Sequence, residues 1–216
     1  MKAYFISGLA ADERVFNHIR LPAAIEKIPL RWIPHKRKEK LEEYAHRLGE
    51  EIDASKPFLL VGLSMGGMIA VEIAKIHPPA QLILISTVPT HLHFPPSFKL
   101  FRLLRLYALV PVKFLKAISI YKRDLLNDSA EDMDVLKRVI RDSDPAFIRW
   151  GMEAILGWRN IGIPPSAVHI HGSRDEILPL RYTNPTHIIK GAGHLMIMKR
   201  ADEINRVLAN VIRLND

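Results

Sequence analysis

The chain alternates two hydrophobic patterns. Short runs are apolar at almost every position: Ala3–Ile6, Phe58–Val61 and Leu82–Ile85. More mixed runs stand at Leu30–Ile33, ahead of Pro34, at Val168–Ile170 and at Thr186–Ile189. Continuous apolar runs suit strands covered on both faces, as in a parallel sheet packed between helices. Elsewhere the apolar residues recur every three or four positions. Leu41, Tyr44, Leu48 and Ile52 give Glu39–Ala54 one apolar face with charge on the others, which predicts a helix. Further helices are expected over Ala11–Arg20, starting near Asp12, over Met65–His77, stopped by Pro78 and Pro79, and over Asp202–Leu214.

The alternation breaks once. From Pro89 to Arg159 only helical patterns appear, punctuated by prolines. Ser97–Leu109 is apolar around most of its circumference, with Lys99, Arg102 and Arg105 as one basic stripe, and Val112–Tyr121 continues in that style. Ser129 and Asp132 have capping-box spacing, and Asp144-Pro145 reads as an N-cap followed by proline at the first helical position. These patterns predict one α/β domain over residues 1–216. It has about six mostly parallel strands flanked by helices, with a helical cap at 89–159 inserted before the fifth strand.

Composition narrows the setting. The chain has no cysteine, which removes disulfides, thiolate metal sites and a cysteine nucleophile. The first apolar run is too short for a signal peptide, and no stretch is long and apolar enough to span a bilayer, so a cytoplasmic protein is expected. The net charge of +8 bears on partners and not on fold. No basic stripe with interleaved aromatics accompanies it, so nucleic acid is not an expected partner. Lys36, Arg37, Lys38 and Lys40 read as a solvated loop. The expected partner is a small-molecule substrate; the oligomeric state is left open.

Gly62-Leu63-Ser64-Met65-Gly66, with Gly67 after it, is a G-x-S-x-G pattern. Alone it is weak: glycine and serine are common enough that roughly one chain of this size in fifteen carries it by chance. Its position between a predicted buried strand and a predicted helix is what makes it a candidate nucleophile elbow. A turn that tight needs small neighbours, hence Gly62 and Gly66, and it presents the Ser64 hydroxyl at a helix N-terminus, where backbone amides favour negative charge. The bland alternative is a glycine-rich turn with Ser64 as a helix cap.

Serine needs a base to be nucleophilic, and the base needs an orienting acid. Asp175 lies in a loop after the fifth predicted strand, within His171-Gly172-Ser173-Arg174-Asp175-Glu176, and its neighbour Glu176 is an alternative acid. His194 follows the sixth strand in Gly191-Ala192-Gly193-His194; His169, His171 and His187 fall on strands and read as structural. All three candidates sit at the carboxyl ends of strands, where open α/β sheets gather their ligand-handling groups. Two backbone amides are expected to hold the oxyanion: that of Met65, directly after the serine, and that of Leu9, in the loop after the first strand.

Taken in order, Phe5-Ile6-Ser7-Gly8-Leu9, the Gly62–Gly67 elbow, His171–Pro179 and Gly191–His194 resemble the α/β-hydrolase superfamily over nearly the whole chain. A helix ending in Trp158 shortly before Ile163-Pro164 is also similar. The resemblance departs in two places. Ser7-Gly8 stands where many members have His-Gly, and the chain starts at the strand leading into the oxyanion loop, without two earlier antiparallel strands. It implies a compact serine esterase with Ser64, Asp175 and His194 as its triad and no metal or organic cofactor. The expected reaction is hydrolysis of an ester or thioester of a small to medium apolar acid through an acyl-enzyme. Carbon–carbon hydrolysis or acyl transfer by the same triad, and a non-catalytic binding protein, are the alternatives. The apolar insertion is expected to line the substrate pocket; its basic stripe would also suit contact with an anionic membrane surface.

Overall fold

The computed structural model describes residues 1–103, 130–165 and 167–212. Six strands form one sheet: β1 (Lys2–Ile6), β2 (Glu26–Leu30), β3 (Phe58–Leu63), β4 (Gln81–Ile85), β5 (Ala167–Gly172) and β6 (His187–Ile189). Their order is β2-β1-β3-β4-β5-β6, and every pairing is parallel. The order reverses between β1 and β3, which opens a crevice at their carboxyl ends. The elbow follows one of these strands and the predicted oxyanion loop follows the other.

Both faces of the sheet are covered, which explains the continuous apolar runs. Tyr4, Ile6, Phe58 and Leu60 pack on one side against α1 (Leu41–Gly49) and α2 (Met65–Ile76). Ala3, Phe5, Leu59 and Val61 pack on the other against α6 (Met196–Lys199) and α7 (Ala201–Val211). Alternate residues of one strand thus feed two cores, and each buried Leu or Ile contributes about 1.5–3 kcal/mol.

Several boundaries differ from the sequence pattern. The second strand lies at Glu26–Leu30, not Leu30–Ile33. It is an edge strand, largely exposed, so only Ile28 and Leu30 face the core and no apolar run marks it. Pro29 is tolerated there because an edge strand leaves one side unpaired. Ala11–Arg20 forms only a single 3₁₀ turn, Glu13–Phe16, capped by the Asp12 carboxylate on the Arg14 amide. The helix predicted over Glu39–Ala54 is shorter, and Glu39 instead accepts bonds from Arg47 and the Lys36 amide.

Between β4 and β5 lie three described helices: α3 (Pro96–Leu103), α4 (Ala130–Asp142) and α5 (Pro145–Gly157). Asp144 caps α5 through the Ala146 amide, with Pro145 next to it, as the pattern predicts. The predicted Val112–Tyr121 helix, Ser129 and the far end of Ser97–Leu109 lie outside the described residues. The two ends of the insertion meet at Asn160, whose side chain donates to the carbonyls of Pro89 and Gly162 and accepts the Gly162 amide. Trp158, fully buried, donates its indole N–H to Glu72 of α2 at 2.7 Å. The last turn before β5 is therefore fastened to the body.

Candidate active site

Ser64 stands between β3 and α2 with φ 52° and ψ −117°. A non-glycine residue is strained in that region. Its surroundings hold it there. The Ser64 amide donates to the Ile85 carbonyl at 3.0 Å, and the Thr87 hydroxyl donates to the Ser64 carbonyl at 2.6 Å. A methyl at Gly62 would come within 2.5 Å of the Gly66 carbonyl oxygen, and one at Gly67 within 2.5 Å of Thr87. A methyl at Gly66 would overlap the carbonyls of Ile6 and Ser7 at the end of β1.

The three sequence-predicted side chains meet. His194 Nε2 lies 3.0 Å from Ser64 Oγ, and His194 Nδ1 lies 2.8 Å from Asp175 Oδ2. The other Asp175 oxygen accepts the amides of Ile177 and Leu178 at 2.9 and 2.8 Å. Asp175 and His194 are both buried, whereas Glu176 is exposed, so of the two candidate acids it is Asp175 that reaches the imidazole. Burial is the largest influence on Asp175 and pushes its carboxyl up. The hydrogen bond and charge of His194, with the Leu178 amide and His171, outweigh it, and the carboxyl is held below the ordinary carboxylate range.

A buried pair of histidines backs the acid. His171 donates from Nε2 to the Leu178 carbonyl at 2.7 Å, and the same nitrogen lies 3.4 Å from Asp175 Oδ2. Its Nδ1 is 3.3 Å from His169 Nε2, which lies 3.0 Å from the Thr87 carbonyl. Burial lowers both; His169 falls to about 3, so it is neutral at ordinary pH. The sequence reading of these two as structural passes over this contact with the acid loop. Their alternation along β5 is the signal that could have found it, since residues two apart on a strand share a face.

The loop after β1 presses on the elbow. A methyl at Gly8 would sit 3.3 Å from Ser64 Cβ, and Leu9 shares a cavity with Ser64. Met65 opens α2 directly after the serine. Ser7 stands where a histidine is common in the resemblance, and its hydroxyl donates to the Ala11 carbonyl at 2.9 Å, closing the loop on itself. Trp32 donates to the same carbonyl at 2.8 Å.

The cavity measures about 460 Å³. Ser64 and His194 open into it, and its walls include Leu9, Val15 and Met68 from the body and Phe98, Leu136, Ile140, Ile148 and Met152 from the insertion. Among the described residues no Asp, Glu, Lys or Arg lines it. Among those residues no group of three or more His, Asp or Glu side chains is placed to hold a metal ion.

Residues 27–207 match the alpha/beta hydrolase family, and the chain belongs to it. No curated protein matches the chain in sequence. Solved structures resemble it at low identity. A thermophilic esterase from Thermogutta terrifontis with malate bound has 19% identity and a TM-score of 0.71, covering 97% of this chain and 88% of that one. MenH from S. aureus has 18% identity and a TM-score of 0.71, covering 98% and 92%. The N-acyl homoserine lactonase AidH, complexed with N-butanoyl homoserine, has 16% identity and a TM-score of 0.67, covering 100% and 91%. At these identities the likeness is one of fold.

Proposed function

We propose that this alpha/beta hydrolase cleaves an ester or thioester of a small to medium apolar acid through a serine acyl-enzyme. The observation that carries the reading is the hydrogen-bonded line from Asp175 through His194 to Ser64, ending in a cavity whose described walls hold no Asp, Glu, Lys or Arg. Asp175 keeps the proton of His194 on Nδ1, which leaves Nε2 as an acceptor toward Ser64. As Ser64 Oγ attacks the acyl carbon, Nε2 takes the hydroxyl proton and then passes it to the leaving alcohol or thiol. The amides of Leu9 and Met65 hold the oxyanion, a contribution of about 2.7–4 kcal/mol per donor. Water then attacks the acyl-enzyme by the same route, with His194 as the base. Apolar walls from both the body and the insertion favour an uncharged acyl group.

The test is a fluorophosphonate probe with mass spectrometry, run beside a panel of aryl esters and thioesters of increasing acyl length. Labelling at Ser64 and turnover, both absent in Ser64→Ala, are expected. A folded wild type that neither labels nor turns over any member of the panel points instead to a binding protein.

A further inference from the structure

Helix α5 carries a glycine in its middle, Gly151, where helix propensity alone favours alanine. Gly151 is buried, and its missing side chain has a specific consequence. A methyl group there would overlap Leu9 Cδ1 and stand 3.1 Å from Met65 Sδ. The side chains of these two residues, one from the loop after β1 and one from the start of α2, therefore converge on one Cα atom of the insertion. On the hydrolase reading, their backbone amides are the two that face the oxyanion.

We infer that Gly151 is a positioning residue: the bare Cα of α5 seats Leu9 and Met65 together and so fixes the spacing of their amides. This rests on the hydrolase reading. Leu9 is half-buried and forms part of the cavity wall. Pushed off Gly151, its side chain must move toward the cavity or carry its backbone with it. Met65 is fully buried, so it has less room to yield. An amide displaced by a fraction of an ångström loses most in the transition state, where the oxygen carries charge, and less in substrate binding. The expected signature is a lower kcat with little change in KM.

Gly151→Ala, Leu9→Ala and the double variant separate this from a merely structural role. Leu9→Ala keeps the backbone amide but empties the seat at Gly151. On the wild-type background Gly151→Ala is expected to lower kcat for an aryl ester at least tenfold, with KM within about threefold and an undiminished melting temperature. On the Leu9→Ala background the same methyl fills the vacated space and presses only on Met65 Sδ, so it is expected to lower kcat by no more than about twofold. If Gly151→Ala does not fold, the comparison of the double variant with Leu9→Ala still decides. An equal loss of kcat on both backgrounds overturns the inference, as does full activity of Gly151→Ala. A wild type without Ser64-dependent turnover overturns the hydrolase reading and this inference with it.

Discussion

Glycine at position 66 is demanded by carbonyls rather than by conformation. An added methyl would overlap the carbonyls of Ile6 and Ser7, and neighbouring backbone in a central strand cannot move aside as a side chain can. Gly66→Ala is expected to cost several kcal/mol, in the upper range for single substitutions, and urea denaturation measures it. Asp175→Asn tests a subtler dependence. Asparagine retains an acceptor for the Ile177 and Leu178 amides, so the loop should persist. Its amide nitrogen, or its weaker acceptor, no longer selects the Nδ1–H tautomer of His194. A fall in kcat of about 10⁴-fold with the fold retained and a modest loss of stability is expected, read by steady-state kinetics and thermal melting.

Strand β5 carries a pH dependence of its own. His169 titrates at about 3 in the folded chain because it is buried, and near 6.5 when unfolded. Between those values the unfolded chain binds the proton more readily, so stability falls as pH drops from about 6.5 toward 3. The loss is on the order of several kcal/mol. His169→Gln should flatten that part of the profile of unfolding free energy against pH, and a slope identical to wild type would assign the effect elsewhere. Asp175 acts at lower pH: its contribution is complete above its unfolded value near 4 and drains as pH falls through its lower folded value.

What the chain reveals before folding follows from how each element is buried. β1, β3 and β4 are covered on both faces, and their apolar runs declare them. β2 lies at an edge with few core-facing residues, so its pattern points three or four residues too far along the chain. Candidate site residues on loops at strand ends, Ser64, Asp175 and His194, are legible because glycines and chain order mark them. Thr87 and Gly151 are not, since each acts through one approach between segments distant in sequence.

The whole molecule depends on how the insertion is tied in. Asn160 is 5% exposed; its side chain donates to the Pro89 carbonyl across the point where the insertion leaves and returns, and two further hydrogen bonds tie it locally to Gly162. Asn160→Ala leaves the Pro89 carbonyl without that donor, so about 2–3 kcal/mol of stability should be lost in chemical denaturation. Among the described residues no lysine, arginine, aspartate or glutamate lines the cavity. Turnover of a neutral ester should therefore vary little between low and moderate salt.

The strand order has a further consequence for a chain made from its N-terminus onward. β1 can pair with β2 early, but its other neighbour, β3, is synthesised later, after all of α1. Until then β1 offers one open edge lined by Ala3, Tyr4, Phe5 and Ile6, all apolar or aromatic. An unpaired edge of that kind adds strands from other molecules as readily as from its own. Nascent chains are thus most exposed to wrong association before β3 is available; a chain refolded from denaturant carries β3 from the start, yet it too leaves this edge open until β1 and β3 pair. Recovered Ser64-dependent activity should fall, and light scattering rise, as refolding is carried out at higher protein concentration.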